Sequence, residues 1–366
     1  MPPTSLIDEL ERALSVGTDA ERMEKLSRIT DLFIAGANTY SAGQINLFDE
    51  LLVKFVAVIE ATARAKLASR LAPVSNAPAG VIRTFAFDDN IEVARPVLRA
   101  SDRLEDSDLV TNANTKSQQH LVAISERKSL SEAVTDVLVT RGDHQVVHSV
   151  AKNTGARFSF AGFRLLVRRA SDDDALAMQV GSRPDLPRQH MLRLLDEASA
   201  KVRTRLLTQN PDSGGAVARA VDEVDGTIRN EIRNASINYG AARTKVEALH
   251  KAGQLNEACI HQFARERRFE ETAVGLSLLC EAEINVVERA LLSHGSEVLL
   301  ILIKLAGFSW TTAKAILLLS TSDRGMSTHD FDNALASFGR LNVETARKVL
   351  SFYNTRSKGF NVSAAG

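Results

Sequence analysis

The side chains best suited to chemistry in this 366-residue sequence are two histidines, His144 and His148, preceded by Asp143. Four residues apart on a helix, both imidazoles face one side, which is half of a zinc-type site. Such a site needs a third or fourth ligand, and no further His, Cys or Asp stands nearby at ligand spacing. Helix-pair repeat proteins that hold iron use His-Glu steps, and the chain has no His-Glu dipeptide. The spacing therefore assigns no metal and no cofactor.

Arginines are the other candidates. Arg127 and Arg183 lie 56 positions apart in matching phrases, "VAISERKSLSEAVTDVL" and "MQVGSRPDLPRQHMLRL". A row of guanidiniums along one edge would suit a carboxylate or phosphate partner. The plainer reading places each cation against the free carbonyls at a helix C-terminus. Asn153 interrupts the row in the intervening phrase, which favours the plainer reading. Arg99 opens "RASD", a tetrapeptide that recurs at 169–172. An Arg three residues from an Asp can clamp a guanine base in cyclic dinucleotide sites, but in a chain with 25% charged residues so short a pattern recurs by chance. Arg99, Arg127 and Arg183 are thus the candidate ligand or partner contacts. His120 reads as a partly buried histidine between stacked helices, and "SDDD" at 171–174 as a solvated helix start. No phosphate-cradling Gly loop, Gly-flanked serine or mechanistic carboxylate pair appears, so no catalytic residue is assigned and no enzyme is expected.

The elements that carry these residues repeat. Between about 86 and 199 one design recurs four times: an apolar helical face, a short link with one large hydrophobe, then a second apolar helix opened by Ser or Pro. Ile124, Arg127, Leu130 and Leu138 return as Val180, Arg183, Leu186 and Leu194. Val150, Phe158, Ser159 and Val167 lie between them, and Leu98 and Leu104 ahead. A period of about 28 residues marks stacked helix pairs, none able to bury its face without its neighbours. The expected fold is all-α, a HEAT-like solenoid of helix pairs with flanking helical regions. Leu104, Leu130, Phe158 and Leu186 should be buried in the links.

The regions follow from composition breaks: N-terminal helices over 1–75, four helix pairs over 76–209, a heptad-patterned helix over 210–252 and further helix pairs over 253–366. Thr4 and Thr18 or Asp19 offer N-caps at the start. "APVSNAPAG" and "TQNPDSGG" are the breaks. In the heptad region Val217, Val221, Val224, Ile228, Ile232, Ala235, Tyr239, Ala242, Val246 and Leu249 recur every three or four residues. Gly226 and Gly240 are the places where it would bend. Part of so long a seam should exceed its intramolecular cover, notably at Ile232, Ala235 and Tyr239. These residues are the candidate interface of a two-fold homodimer.

Bulk properties narrow the function. Lys and Arg number 45, as do Asp and Glu, so the formal net charge is zero and nothing suggests the basic stripe of a nucleic-acid binder. The 44% apolar content supports a packed fold, and 5% aromatics suits helix-on-helix packing. Cys259 and Cys280 sit in helical patterns as reduced, buried residues of a cytoplasmic protein. The start lacks a signal peptide. "EVLLILIKLAGFSWTTAKAILLLS" is interrupted by Lys304, Lys314 and "GFSW", so a buried helix pair is expected there and no membrane span.

"VARPVLRASDRLEDSDLV", followed by "HLVAISERKSLSEAVTDVLVTRGDHQVVHSVAKN", resembles the bacterial family catalogued as Domain of Unknown Function 2336. The resemblance continues through "LLILIKLAGFSWTTAKAILLL" and covers about residues 20–320. It implies an all-helical, soluble bacterial protein, mostly of alphaproteobacteria, and carries over no catalytic residue. The expected function is a non-catalytic scaffold or signalling adaptor for a protein partner. The alternative is a sensor of a nucleotide messenger, and the third choice an enzyme acting on nucleic acid.

Overall fold

The computed structural model describes residues 19–348 apart from 210–213, 294–296, 322–326 and 345. The expected caps at Thr4 and Thr18, the centre of "TQNPDSGG" and the C-terminal tail lie outside the described residues. Among those described the protein is all-helical, and the one β-type contact is a single parallel bridge between Leu130 and Ala156. The chain divides into two compact units between Arg183 and Pro184.

The first unit contains α1 (Asp19–Gly36), α2 (Ala42–Val56), α3 (Ala61–Leu71), α4 (Ala79–Ala86), α5 (Ile91–Ala100) and α6 (Asp106–Thr115). It continues with α7 (Gln118–Ser125), α8 (Glu132–Arg141), α9 (His144–Lys152), α10 (Phe160–Ala170) and α11 (Asp174–Gly181). Alternate helices stack in two layers. In one, α3, α5, α7, α9 and α11 follow each other; in the other, α6, α8 and α10 do, and α2 packs on α4. Short oxygen side chains start many of these helices: Ser41 in a capping box, and Asn90, Asp143, Ser159 and Asp173 each accepting from a first-turn amide. The inward faces are apolar and fully closed at Leu71, Val97, Leu121, Ile124, Val146 and Val150.

Link hydrophobes behave as the repeat requires at Leu104, Leu130 and Phe158, which are buried. Leu186, which lies past the border in the second unit, is only half-buried. The segment "APVSNAPAG" forms the irregular link from α3 to α4, with Ala77 buried in it, and α3 packs on α5. Where links run side by side, the Leu130 amide donates to Gly155 O at 3.1 Å and Arg157 N to Leu130 O at 3.0 Å. Gly155 is needed there, since a Cβ would sit 1.8 Å from Lys128 O.

The second unit contains α12 (Arg188–Gln209), α13 (Gly214–Ala235), α14 (Ile237–Lys251), α15 (Glu257–Arg265) and α16 (Phe269–Cys280), then α17 (Ile284–Leu292), α18 (Glu297–Leu305), α19 (Trp310–Ser320) and α20 (Thr328–Arg340). The heptad segment is two helices. It breaks at Ser236, whose hydroxyl accepts from Tyr239 N at 3.2 Å and so starts α14, while Gly226 and Gly240 lie inside helices. Arg203 pairs with Asp222 and Asp196 with Arg229, so α12 and α13 run antiparallel.

The apolar core of this unit gathers Val246, Ile260, Phe263, Phe269, Leu276, Val287, Leu299, Leu302 and Ile316. Phe269 opens α16 rather than standing in a link, and Leu341 caps α20 half-buried. "GFSW" separates α18 from α19 by a turn at Gly307 (φ 72°), with Phe308 buried beneath it. No helix among the described residues is long and apolar enough to cross a membrane. Lys304 stays at the edge of this pair, donating to Phe338 O at 3.3 Å with its ammonium over the Phe338 ring. Cys259 and Cys280 are free thiols, half-buried. Burial pushes the Cys280 thiol up to about 12.

Candidate functional sites

The matching arginines of the first unit close helix ends. Arg127 follows α7 and donates to Leu98 O at 2.7 Å and Ser101 O at 2.9 Å, the carbonyls that end α5. Arg183 follows α11 and reaches Ala151 O, Asn153 O and Ala156 O at 2.8–2.9 Å, with its guanidinium 4.7 Å from the Phe158 ring centre. Asn153, which interrupts the arginine row in sequence, continues it in space. Its amide donates to Ser125 O at 2.8 Å and Arg127 O at 2.7 Å. Arg103 donates instead to Ala77 O, in the link just ahead of α4, at 3.0 Å.

A parallel set serves the other layer. Asn112 donates to Ala86 O, Arg141 to Ala113 O and Lys116 O, and Arg169 to Thr140 O and Gly142 O. Each donor answers the orphan carbonyls and negative dipole end of the preceding helix in its layer. Burial lowers the Arg127 pKa from its ordinary value, against the pull of Asp102 and Asp106. Arg99 is different: it is exposed and, among the described residues, pairs with Glu126 at 3.5 Å. Among the three candidate ligand contacts, then, Arg127 and Arg183 have donors committed to the chain's own backbone, and Arg99 faces solvent.

Histidines of this unit take two roles. His120 is 1% exposed. Its Nε2 lies 2.9 Å from Asp88 O, and since a carbonyl only accepts, that nitrogen carries the proton and Nδ1 accepts from Ser117 Oγ at 2.8 Å. It is a satisfied buried histidine, as expected. His144 and His148 stand on one face of α9 with ring centres 4.2 Å apart. The third group that spacing did not reveal comes from the next helix of the same layer. Asp173 Oδ2 lies 3.0 Å from His144 Nε2 and 2.7 Å from His148 Nε2. Its other oxygen, Oδ1, accepts from Leu176 N at 3.0 Å and caps α11. That backbone bond, followed by His148, holds the Asp173 carboxyl down at about 2. Asp143 is occupied in capping α9 through Val146 N.

In the second unit, charge is buried. The inward face of α13 carries Val221, then Asp225, Arg229 and Arg233 at four-residue steps. Arg229 is fully buried, donates to Asp225 Oδ2 at 2.8 Å and pairs with Asp196; Arg289 adds a second donor to Asp225 Oδ2 at 2.6 Å. Glu288, also fully buried, binds Arg188 at 2.6 Å and Arg233 at 3.0 Å. Arg188 completes the set with Glu270 at 2.6 Å. The guanidiniums of Arg188 and Arg233 lie 5.0 and 5.6 Å from the centre of the Tyr239 ring, which is buried between them.

Burial pushes Glu270 up to about 7 against the pull of Arg188, with Glu288 adding to the rise. Burial also raises Asp225, but Arg229 and Arg289 outweigh it and hold this carboxyl below the usual range. These closed carboxylates and guanidiniums tie together α12, α13, α16 and α17.

That arrangement changes the expected interface. Tyr239, expected on an exposed seam, is interior to its own unit. Ile232 is half-buried and Ala235 exposed, as are Val224 (59%) and Ile237 (88%).

The family model described as "uncharacterised protein conserved in bacteria", Domain of Unknown Function 2336, matches residues 93–351. The chain belongs to this family. The Domain of Unknown Function 2336 match begins at Val93 in α5, later than the resemblance read from the sequence, and takes in about half of the first unit and most of the second. It includes the His144, His148 and Asp173 cluster and the buried network around Glu288. No curated protein and no solved structure matches the chain.

Proposed function

We propose that this protein is a non-catalytic helical-repeat scaffold that works through protein surfaces, one of them the α13 stripe pairing with a second copy of the chain. The observation that carries this reading is the orientation of α13. It turns Asp225, Arg229 and Arg233 inward and leaves Val224 and Ala235 exposed, with Val217, Ile228 and Ile232 half-buried beside them. An apolar stripe on a helix whose polar face is buried is the reverse of ordinary amphipathic packing, and such stripes mark protein contacts.

The stripe points to a copy of itself. Val217, Val224, Ile228 and Ala235 are separated by 7, 4 and 7 residues, a spacing that reads the same in both directions. An antiparallel copy related by a two-fold axis sets Val224 against Ile228 and Val217 against Ala235, twice over. The commitment of Arg127 and Arg183 to backbone carbonyls supports a scaffold over a nucleotide sensor, and the zero net charge supports it over a nucleic-acid enzyme.

Light scattering tests the pairing. The wild type should have twice the chain mass at micromolar concentration, and Val224→Asp, a change at an exposed position, should be monomeric with unchanged helicity. A monomeric wild type, or a dimer that Val224→Asp leaves intact, removes the pairing. A strong thermal shift with a cyclic dinucleotide that Arg99→Ala abolishes would favour the sensor instead.

A further inference from the structure

We propose that His144, His148 and Asp173 form a binding site for a divalent transition-metal ion of the zinc class, joining α9 to α11.

Three observations carry it. First, three ligand atoms of suitable chemistry converge: two imidazole nitrogens and one carboxylate oxygen, all within 4.8 Å of one another. Bonds of about 2.0–2.1 Å in tetrahedral array set ligand atoms roughly 3.3 Å apart. The two histidine-to-aspartate separations, 3.0 and 2.7 Å, need to open by roughly 0.3 and 0.6 Å to admit an ion.

Second, the ligands are held from outside the site. Asp173 Oδ1 is fixed on Leu176 N, so Oδ2 alone turns to the imidazoles, as a monodentate ligand would. His148 and Asp173 side chains are 18% and 19% exposed and therefore ordered by packing. Asp143, the nearby carboxylate that would compete, is engaged at the start of α9.

Third, the site has a mouth. His144 is 78% exposed, so an ion can enter and the remaining coordination position is open to water or to a group from a partner. Imidazole and carboxylate donors select ions of the zinc class over calcium or magnesium, which prefer all-oxygen sets. Three protein ligands with one open position match the ligand count of zinc sites that hold an exchangeable water.

The test uses the full-length chain without a histidine tag. Zinc chloride is titrated by calorimetry, with cobalt(II) as a spectroscopic probe. The wild type should take up one equivalent and show the visible bands of tetrahedral cobalt. Loss of even an outer partner of a metal ligand costs about 10–100-fold in affinity, so His144→Ala and His148→Ala should each weaken zinc at least about tenfold. His144→Ala changes an exposed residue and should keep the metal-free helicity of the wild type. Zinc should also raise the melting temperature of the wild type, and a chelator should reverse the rise. Absence of stoichiometric uptake by the wild type overturns the proposal. So does uptake that either histidine variant leaves unchanged.

Discussion

The two units bury cations in opposite ways. In the first, guanidiniums and amides at the helix ends take neutral carbonyls as partners, and the core between them is hydrocarbon. In the second, Arg188, Arg229 and Arg233 take buried carboxylates, so both members of each pair are desolvated. The first arrangement satisfies groups that every helix leaves over, at the cost of one charge near a favourable dipole. The second sets large desolvation costs against large attractions, and its net contribution to stability is small while its sensitivity to loss of one partner is high. Repetition therefore tolerates substitution in the first unit, as Asn153 shows among arginines. The second unit is a single set of interlocked choices.

Four changes break or sharpen this contrast, and the largest effect belongs to the second unit. Arg188→Ala strands Glu270 and Glu288 without one of their cations, and should cost about 3–5 kcal/mol in urea denaturation. Trp310, the sole tryptophan, lies 5.7 Å from the Phe338 ring in the second unit and provides the fluorescence signal. A loss below about 1 kcal/mol would make the network no more demanding than a surface pair.

Arg183→Ala removes three carbonyl bonds and a stacked ring from the first unit. Hydrogen bonds to charged groups are worth about 1.5–3 kcal/mol, and a neutral carbonyl left without its donor costs less than a stranded carboxylate. The expected loss, about 1.5–3 kcal/mol by circular dichroism, should fall below that of Arg188→Ala. A larger loss inverts the comparison.

The third change separates the units by pH. The Glu270 carboxyl lies at about 7 in the folded protein against an ordinary 4.5, so the folded state holds the extra proton between these values. Its contribution is fully present below about 4.5 and is lost as pH rises through about 7. Asp173 has the opposite sign. Its carboxyl is held down at about 2, so its contribution is present above 3.8 and is lost as pH falls toward 2. Glu270→Gln should flatten the fall in stability between pH 5 and 7 and leave the acid limb unchanged. An unaltered slope would place the titrating group elsewhere.

The smallest effect is expected at Arg99. Its pair with Glu126 is exposed, and Arg99→Ala should change the melting midpoint by less than about 0.5 kcal/mol equivalent.

Much of the fold was legible because its period is long and its punctuation is chemical. The spacing of Arg127 and Arg183 marks equivalent helix ends in the sequence itself, and the link hydrophobes Leu104, Leu130 and Phe158 follow from the same register. Asn153 looked like an interruption because sequence compares side-chain charge, whereas the helix end asks only for N–H donors. Asp173 was invisible as a partner of His148 for another reason: 25 residues separate them, and only the stacking of α11 on α9 closes that distance.

The seam of α13 misled in direction. Its apolar period is real, but Asp225, Arg229 and Arg233 carry their own four-residue period on the adjoining face. Paired carboxylates from α12 and α17 make that face the buried one. The four-residue spacing of one acid and two bases at those positions was the available signal. Ser236, a good cap amid residues of helical pattern, was the signal for the break that the glycines did not make.

Because each donor in the first unit reaches back to the pair before it, acceptors and donors recur in step along the chain. Excising one whole pair would bring the next donor opposite an equivalent set of carbonyls. The stack can thus grow or shrink by gene-segment duplication or loss, one pair at a time, without any new side chain having to be invented at the join.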